Sequence, residues 1–275
     1  MITIEEVDGK AGWREFEAVS DLVYQGDPYR LPDESIDLRR VLIAPPSSIA
    51  ATRITKAFLA RENGIAVGRV VAIHDLSFTE YTGESIGFFG FYEAVDDHDV
   101  ARALLDAAAQ WLSARGLATI SGPFGPSMFY SAGIVVDEIP ALPLVGMPHN
   151  PHYYAAHFEK WGLMAVKDFY SYLFDDPCII YNRPEYARHM QIFEKIKARS
   201  EVTFRSMKYR TLRRDARIVR DLYNKTFVNF WGFSPLSYAE LFELLKMMLP
   251  VIDRRLTLLA ELDGKPVGFL MGIPD

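Results

Sequence analysis

The sequence predicts an α/β protein built from one complete unit and the opening part of a second. Three observations carry that reading. A hairpin pattern recurs two hundred residues along the chain, strand-like and helix-like segments alternate through the first 174 residues, and the composition suits a packed core. Of the 275 residues, 49% are apolar, 24% charged and 13% aromatic, the profile of a globular chain rather than a disordered or fibrous one. The length allows one large domain or two ordinary ones, and a core that needs no disulfide or metal to hold it.

The repeat is read directly. Residues 59–75 (LARENGIAVGRVVAIHD) align without a gap to residues 259–275 (LAELDGKPVGFLMGIPD), with seven of seventeen positions identical. Each copy reads as a strand, a turn at Asn63-Gly64 or Asp263-Gly264, and a second strand, because both residues of such a turn must accept positive φ. Upstream, Ile2–Val7 and Val202–Met207 are short β-like runs. Each precedes an amphipathic helix, one around Trp13–Tyr24 with Phe16, Val19 and Val23 in phase, the other around Arg213–Phe230 with Ile218, Leu222 and Thr226 in phase. A second helix follows in each copy, and in the second copy Ser237 and Glu240 stand in capping-box spacing.

Only the first copy continues. It runs through a strand at Ser85–Glu93, a helix at Asp99–Arg115 closed by Gly116, and a strand at Leu117–Ser121. Val100, Leu104, Ala108, Trp111 and Leu112 form one face of that helix. A Gly/Pro-rich loop, a helix near Pro151–Trp161 with Asn150 as its N-cap, and a last strand near Ala165–Phe174 complete the unit. The expected organisation is therefore a unit over residues 1–176, a linker and connecting helix over 177–200, and the start of a second unit over 201–275.

Strand, two helices, hairpin, strand, helix, strand, helix, strand resembles the order of the GNAT acyl-CoA N-acyltransferase fold, which has a mixed sheet. Phe58–Gly68 and Leu259–Gly268 look like that family's hairpin, Ala103–Gly116 resembles the helix after its cofactor loop, and Phe158–Leu163 with Asp168–Tyr172 resembles its Y-x-x-x-G-F turn and last strand. The whole chain is similar to a bacterial group of tandem GNAT-like proteins through Gly87–Glu93, Met147–Tyr154 and Tyr223–Leu236. The resemblance implies acyl transfer from acetyl-CoA or another acyl-CoA to an amine. It requires a pyrophosphate site at a helix N-terminus, a backbone N–H on the thioester carbonyl, and a base and an acid for the protons.

In the first unit the cofactor-loop window reads Asp96-Asp97-His98-Asp99-Val100-Ala101, with carboxylates where the family has Gln or Arg and glycine. Facing a pyrophosphate they would repel by several kcal/mol, on the order of the Coulomb energy at intermediate dielectric. Asp97 or Asp99 as a helix N-cap is the alternative. Phe158 stands where the family's tyrosine would donate a proton. The resemblance thus implies a degenerate first unit and a second whose cofactor loop lies beyond Asp275, leaving an exposed sheet edge at Val267–Ile273. No catalytic residue is assigned.

Candidate acceptor-binding residues are Tyr223, Asn224, Asn229 and Trp231 in the second unit, with aromatic packing as the competing role, and Tyr130, Tyr153 and Tyr154 in the first, which line its cleft or face the second unit. His152 and His157 lie five apart and face different ways, so with His149 they form no metal set. Arg205, Lys208, Arg210, Arg213, Arg214, Arg217 and Arg220 make a basic run suited to phosphates, to nucleic acid or simply to water. Gly122–Ser127 reads as a rigid loop rather than a phosphate cradle, and no Walker, Rossmann, HExxH or nucleophile-elbow motif occurs. Cys178 is the lone cysteine, so neither an intrachain disulfide nor a cysteine zinc site is possible. No signal peptide or membrane span is encoded, a net charge of −6 weighs against nucleic acid as the main partner, and a cytoplasmic home is expected. Two functions stay open: an acyl-CoA-dependent N-acyltransferase acting on a small amine, in full length and as a possible homo-oligomer, or a non-catalytic scaffold or ligand-binding module. Aminoacyl transfer from tRNA is a variant of the first.

Overall fold

The computed structural model describes residues 1–30, 42–43, 45–125, 132–137, 142–143, 147–172, 181–199, 202–249 and 252–272. The chain divides into two compact units. The first holds Met1–Met164 and Phe227–Glu240; the second holds Ala165–Thr226 and the chain from Leu241 on. Residues 227–240, which the repeat gives to its second copy, thus group with the first unit.

The first unit is a mixed α/β structure around a five-stranded sheet in the order β1 (Ile2–Glu6), β2 (Arg53–Glu62), β3 (Ile65–Asp75), β4 (Ile86–Ala94), β5 (Thr119–Ser121). All neighbours are antiparallel except β4 and β5, which run parallel because α4 (His98–Ser113) crosses between them. Asp8 starts α1 (Gly9–Val23) by accepting from the Gly9 N–H at 2.7 Å, and α1 buries Phe16 and Val19, as the helical phase predicts. Where the sequence suggests a second helix, the described residues form a single turn, α2 (Ser47–Ala50). A further helix, α3 (Leu76–Thr82), was not anticipated: Asp75 accepts from the Phe78 N–H at its start and Gly83, at φ 73°, closes it. Asn63-Gly64 takes positive φ at both positions (51° and 84°), confirming the tight hairpin.

Both faces of the sheet are covered. On one side α4 and α5 (Tyr154–Trp161) bring Val100, Leu104, Leu105, Leu112 and Phe158 onto Phe89 and Tyr92. On the other, Phe16 and Val19 of α1 meet Leu59, Val71, Ile73 and Phe88. Each such side chain contributes about 1.5–3 kcal/mol by leaving water. The segment 227–240 adds Trp231, whose ring lies 5.5 Å from Phe124. It also adds Glu240, which meets Arg53 Nη1 at 2.6 Å. Asp75 Oδ2 lies 3.5 Å from Nε of the same guanidinium. Arg53, Asp75 and Glu240 are all buried; burial raises the pKa of both carboxyls and the shared Arg53 works against it. The Glu240 N–H does bond Ser237 Oγ at 3.1 Å, but its carboxylate goes to Arg53 instead of returning to the cap.

Two expectations fail around α5. Asn150 is not its N-cap: the helix starts at Tyr154, and the Asn150 amide instead accepts from the Val135 N–H (2.8 Å) and donates to the Val135 carbonyl (3.1 Å). The predicted last strand at 165–174 is not formed over 165–172, where no ladder partner meets it; 173 and 174 lie outside the described residues.

The second unit contains α6 (Pro184–Arg199), β6 (Val202–Ser206), α7 (Leu212–Thr226), most of α8 (Tyr238–Met248), β7 (Thr257–Leu262) and β8 (Lys265–Met271), with sheet order β6-β7-β8. Its register copies the first at an offset of 200. Ala60 pairs with Gly68 and Arg61 with Ala66; Ala260 pairs with Gly268 and Glu261 with Pro266, so the same bulge recurs. Ile2 pairs with Glu62 and Val202 with Leu262. The buried face of α7 is Asp215, Ala216, Val219 and Tyr223, not the predicted Ile218, Leu222 and Thr226 row; Thr226 is exposed. That face is set by Asp215, which accepts from Arg205 at 2.8 Å and Thr211 at 2.6 Å and so ties β6 to α7. Burial opposes its ionisation, but those bonds win and lower its pKa. β8 is an edge strand among the described residues, with Val267 and Leu270 exposed, as expected; Ile273 lies outside them.

The repeated glycines report a difference in cover. A Cβ on Gly68 would meet Leu104 and Val100 of α4 at 2.7 and 2.9 Å, whereas among the described residues one on Gly268 would meet Ala260 alone, at 3.9 Å. We expect Gly68→Ala to destabilise by about 1–3 kcal/mol and Gly268→Ala to change stability by less than about 0.5 kcal/mol. Urea denaturation of the two variants checks this, and equal effects would contradict the difference in cover.

Candidate functional site

The chemistry-bearing groups of the first unit gather at the C-terminal end of β4. Between Gly90 and Glu93 the ladder to β3 shifts: Val71 faces Gly90 while Arg69 faces Glu93, so β4 carries one residue more than its partner. Phe91 takes up the excess at φ 52°, a left-handed conformation that costs a bulky residue about 1–3 kcal/mol. Beyond the bulge Glu93 lies on the α1 side beside Arg69, and both are almost fully buried. The nearest approach of guanidinium and carboxylate is 3.7 Å, and Arg69 Nη1 also donates to the Phe16 carbonyl at 3.0 Å.

Tyrosines complete the cluster. The Tyr154 hydroxyl donates to Glu93 Oε2 at 2.5 Å and accepts from the Ala94 N–H at 3.1 Å. The Tyr24 hydroxyl donates to the His149 carbonyl at 2.9 Å and lies 3.3 Å from Glu93 Oε1. The Tyr153 hydroxyl donates to the Ala94 carbonyl at 2.9 Å. Burial, then the Glu93 charge, holds Tyr154 neutral far above the usual phenol range. Burial with Asp96 and Glu93 pushes Tyr153 up to about 12. His149 Nε2 meets Asp27 at 2.7 Å; burial works against ionised Asp27, but the Tyr29 N–H and His149 outweigh it and its pKa is lowered. His157, fully buried, meets the Tyr92 hydroxyl through Nδ1 at 2.9 Å, and burial, then His98, lowers its pKa. With Asp96 3.7 Å from Nε2, the tautomer that carries its proton on Nε2 leaves Nδ1 to accept a hydrogen bond from the Tyr92 hydroxyl.

The residues singled out in the sequence are distributed as follows. Asp97 is the N-cap of α4, its Oδ1 accepting from the Asp99 N–H (2.7 Å) and the Val100 N–H (3.4 Å), while its carbonyl takes the Ala101 N–H at 3.0 Å. Asp99 is exposed with Arg102, His98 packs its ring on His157, and Val100 and Ala101 are buried. Tyr153 belongs to the cluster around Ala94. Phe158 is core, its ring 4.9 Å from Tyr92; one turn earlier, the Tyr154 hydroxyl reaches β4, as does that of Tyr153. Trp231 packs on Phe124 and Asn229 is exposed, both in the first unit, whereas Tyr223 is buried and Asn224 half-buried in α7 of the second. Tyr130 lies outside the described residues, as do Pro126 and Ser127. No His, Cys, Asp and Glu group among the described residues can hold a metal ion. Of the basic run, Arg205 and Arg214 face Asp215, and Arg220 pairs with Asp221. Sequence reasoning missed Glu93, Arg69 and Tyr24. The available signal was a lone charge in each of two apolar strands, FFGFYEA and VGRVVAI.

Among the described residues of the first unit, several backbone groups that an acyl-CoA could use are engaged within the protein. The α4 amides that would meet a pyrophosphate are already bonded to Asp97. The outward backbone groups of Ala94, where an extended ligand arm would pair with the strand edge, are bonded to Tyr154 and Tyr153. Nearer β5, the Phe124 N–H bonds the Phe89 carbonyl at 2.7 Å, and the Phe124 carbonyl sits so close over Gly90 that a Cβ there would be 1.6 Å away.

No family model matches the chain. Among curated proteins it is 28% identical to Protein YghO of Escherichia coli (strain K12) over 260 residues, 94% of this chain and 65% of that protein. It is 32% identical to the bacterial ceramide synthase of Caulobacter vibrioides (strain NA1000 / CB15N) over 219 residues, 79% of this chain and 56% of that one. The chain spans less than two thirds of the length of either relative. Solved structures similar to it include an aminoglycoside acetyltransferase, meta-AAC0020, from an uncultured soil metagenomic sample, at 12% identity and TM-score 0.39, covering 63% of this chain and 95% of that one. A putative acetyl transferase from Pyrococcus furiosus is similar at 17% identity and TM-score 0.38, covering 63% and 100%.

Two outcomes are expected of the cluster. Glu93→Ala removes a carboxylate from beside the buried Arg69 charge and should destabilise by about 3 kcal/mol, whereas Glu93→Gln with Arg69→Met should recover most of that loss in urea denaturation. The folded state holds the Tyr153 proton more tightly than the unfolded chain does. Its contribution is therefore complete below the unfolded phenol pKa of about 10 and is lost as pH rises through about 12. Tyr153→Phe should flatten that alkaline limb of the stability–pH curve.

Proposed function

We propose that the protein is an acyltransferase that joins an acyl group from an acyl-CoA to an amine, and that its first unit is not where the donor binds. The observation that carries the reading is the 32% identity, over 79% of the chain, to a protein named for ceramide synthesis. A ceramide is the amide of a fatty acid with a long-chain amino alcohol, so the same chemistry on this chain calls for a lipid-like amine as acceptor. The GNAT-like element order of the first unit, with its parallel β4–β5 pair, is consistent with that lineage. The capped α4 N-terminus and the occupied edge of β4 support a first unit that positions other parts instead of holding the donor. Those two features also favour the second reading, a non-catalytic ligand-binding module.

Amide formation makes a C–N bond, breaks the thioester C–S bond and frees one thiol per turnover. A thiol-reactive dye therefore reads the reaction. With palmitoyl-CoA and a long-chain amino alcohol the protein should release thiol only when both are present. Saturable binding of the amine with no thiol release from either acetyl-CoA or palmitoyl-CoA would sink the enzyme reading and leave the module. Asp97→Ala tests the donor's location: losing the cap should cost about 1 kcal/mol of stability while the KM for acyl-CoA stays unchanged. A shifted KM would place the donor at α4 after all.

A further inference from the structure

Residues 227–240 group with the first unit without adding a strand to its sheet. From Phe227 to Ser237 the main chain forms turns, with the Phe230 N–H on the Phe227 carbonyl at 2.8 Å and the Phe233 N–H on the Phe230 carbonyl at 3.1 Å; α8 opens only at Tyr238. Side chains make the attachment. The Trp231 ring lies 5.5 Å from Phe124, the Phe233 ring meets Tyr81 edge-on at 5.4 Å, and Phe233 and Leu236 are buried. At the far end the Glu240 carboxylate meets Arg53 on β2. A segment held this way opens more readily than a strand inside a ladder, so its closure responds to each of these contacts.

The last contact carries an unbalanced charge. One guanidinium, Arg53, faces two carboxylates, Asp75 and Glu240, and the three side chains are 1%, 7% and 2% exposed. With both acids ionised the triad keeps a surplus negative charge away from water, which is costly; a single proton removes it. The two acids are not equivalent. Asp75 accepts from the Phe78 N–H at 3.0 Å and from the Ser77 N–H, bonds that favour its charged form. Around Glu240 burial and Asp75 oppose ionisation, and Arg53 alone favours it. Arg53 is itself divided: Nη1 also donates to Thr52 Oγ1 at 3.2 Å, and Nε has no aligned acceptor. The other titratable group beside the triad among the described residues is His74, whose pKa burial, then Arg115, lowers. The proton therefore belongs to the pair of acids, and to Glu240 more than to Asp75.

We propose that residues 227–240 are a strap whose closure over Phe124 and Tyr81 is coupled to the uptake of one proton by the Arg53–Asp75–Glu240 triad. Opening carries Glu240 into water, where a glutamate titrates at about 4.3, and leaves Arg53 and Asp75 as a balanced pair. Closing above that pH buries the surplus charge unless a proton enters with it. The closed state holds the proton more tightly than the open one. Its advantage is therefore complete below the ordinary carboxyl range and is lost as pH rises through the raised values of the closed triad. Acidification from neutral pH tightens the strap. The inference uses neither the β4 cluster nor an acyl donor, so it stands apart from the acyltransferase reading.

Amide hydrogen exchange of the whole protein at pH 5, 6.5 and 8 tests it, with each rate divided by that of an unstructured peptide at the same pH. Protection across 227–240 should fall severalfold from pH 5 to pH 8, while protection of β3 does not follow it. Glu240→Gln keeps the shape without the charge and should hold the strap near its acid level of protection at every pH. Tyr81→Ala removes the partner of Phe233 from a position that is 46% exposed. It should lower protection by one factor throughout and leave the slope unchanged. The wild-type comparison of strap with β3 needs no variant. Protection of 227–240 that stays flat or rises towards pH 8 overturns the proposal, as does a slope that persists in Glu240→Gln. A slope shared equally by β3 also overturns it, because the proton would then act on the unit as a whole.

Discussion

One residue too many in β4 sets the geometry of the whole first unit. Without the excess at Phe91, the alternation that sends Phe88 to the α1 face and Phe89 to the α4 face would carry on and leave Glu93 on the opposite side from Arg69. The bulge turns the phase by one position. Glu93 then comes to rest against the guanidinium, and Ala94 presents its N–H and carbonyl to the two tyrosines that begin α5. The strain at Phe91 is on the order of 1–3 kcal/mol. It persists because a buried charge, two phenols and a helix position all depend on it. Gly90 belongs to the same device, since only a residue without Cβ lets the chain at Phe124 cross β4 beside the bulge.

This explains what could be read from the sequence and what could not. The hairpins were legible because Asn-Gly and Asp-Gly carry their own geometry; both turns show the paired positive φ that those residues accept. The role of Asp97 was legible because an N-cap is a local bond between near neighbours. Glu93 was not, because a bulge changes the meaning of every later residue in the strand and nothing in FFGFYEA announces one. Asn150 failed for the opposite reason: its local chemistry favoured capping, but the main chain of Val135 offered it two bonds instead of one. In α7 the face was misjudged because the deepest residue is an aspartate, buried against Arg205 and Thr211, which an apolar periodicity cannot register. The missing strand at 165–172 makes a related point, since β-like residues become a strand only where a partner supplies the ladder.

The two hairpins separate local from tertiary information most cleanly. They share turn, bulge and register at an offset of 200, and each has a helix on the same side: α1 packs on β3, and α7 packs on β8. They differ in what lies over the other face. Gly68 is pressed by α4, while among the described residues nothing nearer than a neighbouring alanine stands over Gly268. A hairpin therefore carries its own register but not its cover, and binding sites in such a sheet are made by cover and edge: the amides opening α4, the outward groups of Ala94, the chain crossing Gly90. In the first unit each of those is spent on the protein itself. Similarity concentrated in hairpin and strand order is thus evidence of common architecture. The chemistry has to be argued from the few backbone groups that the fold leaves unpaired.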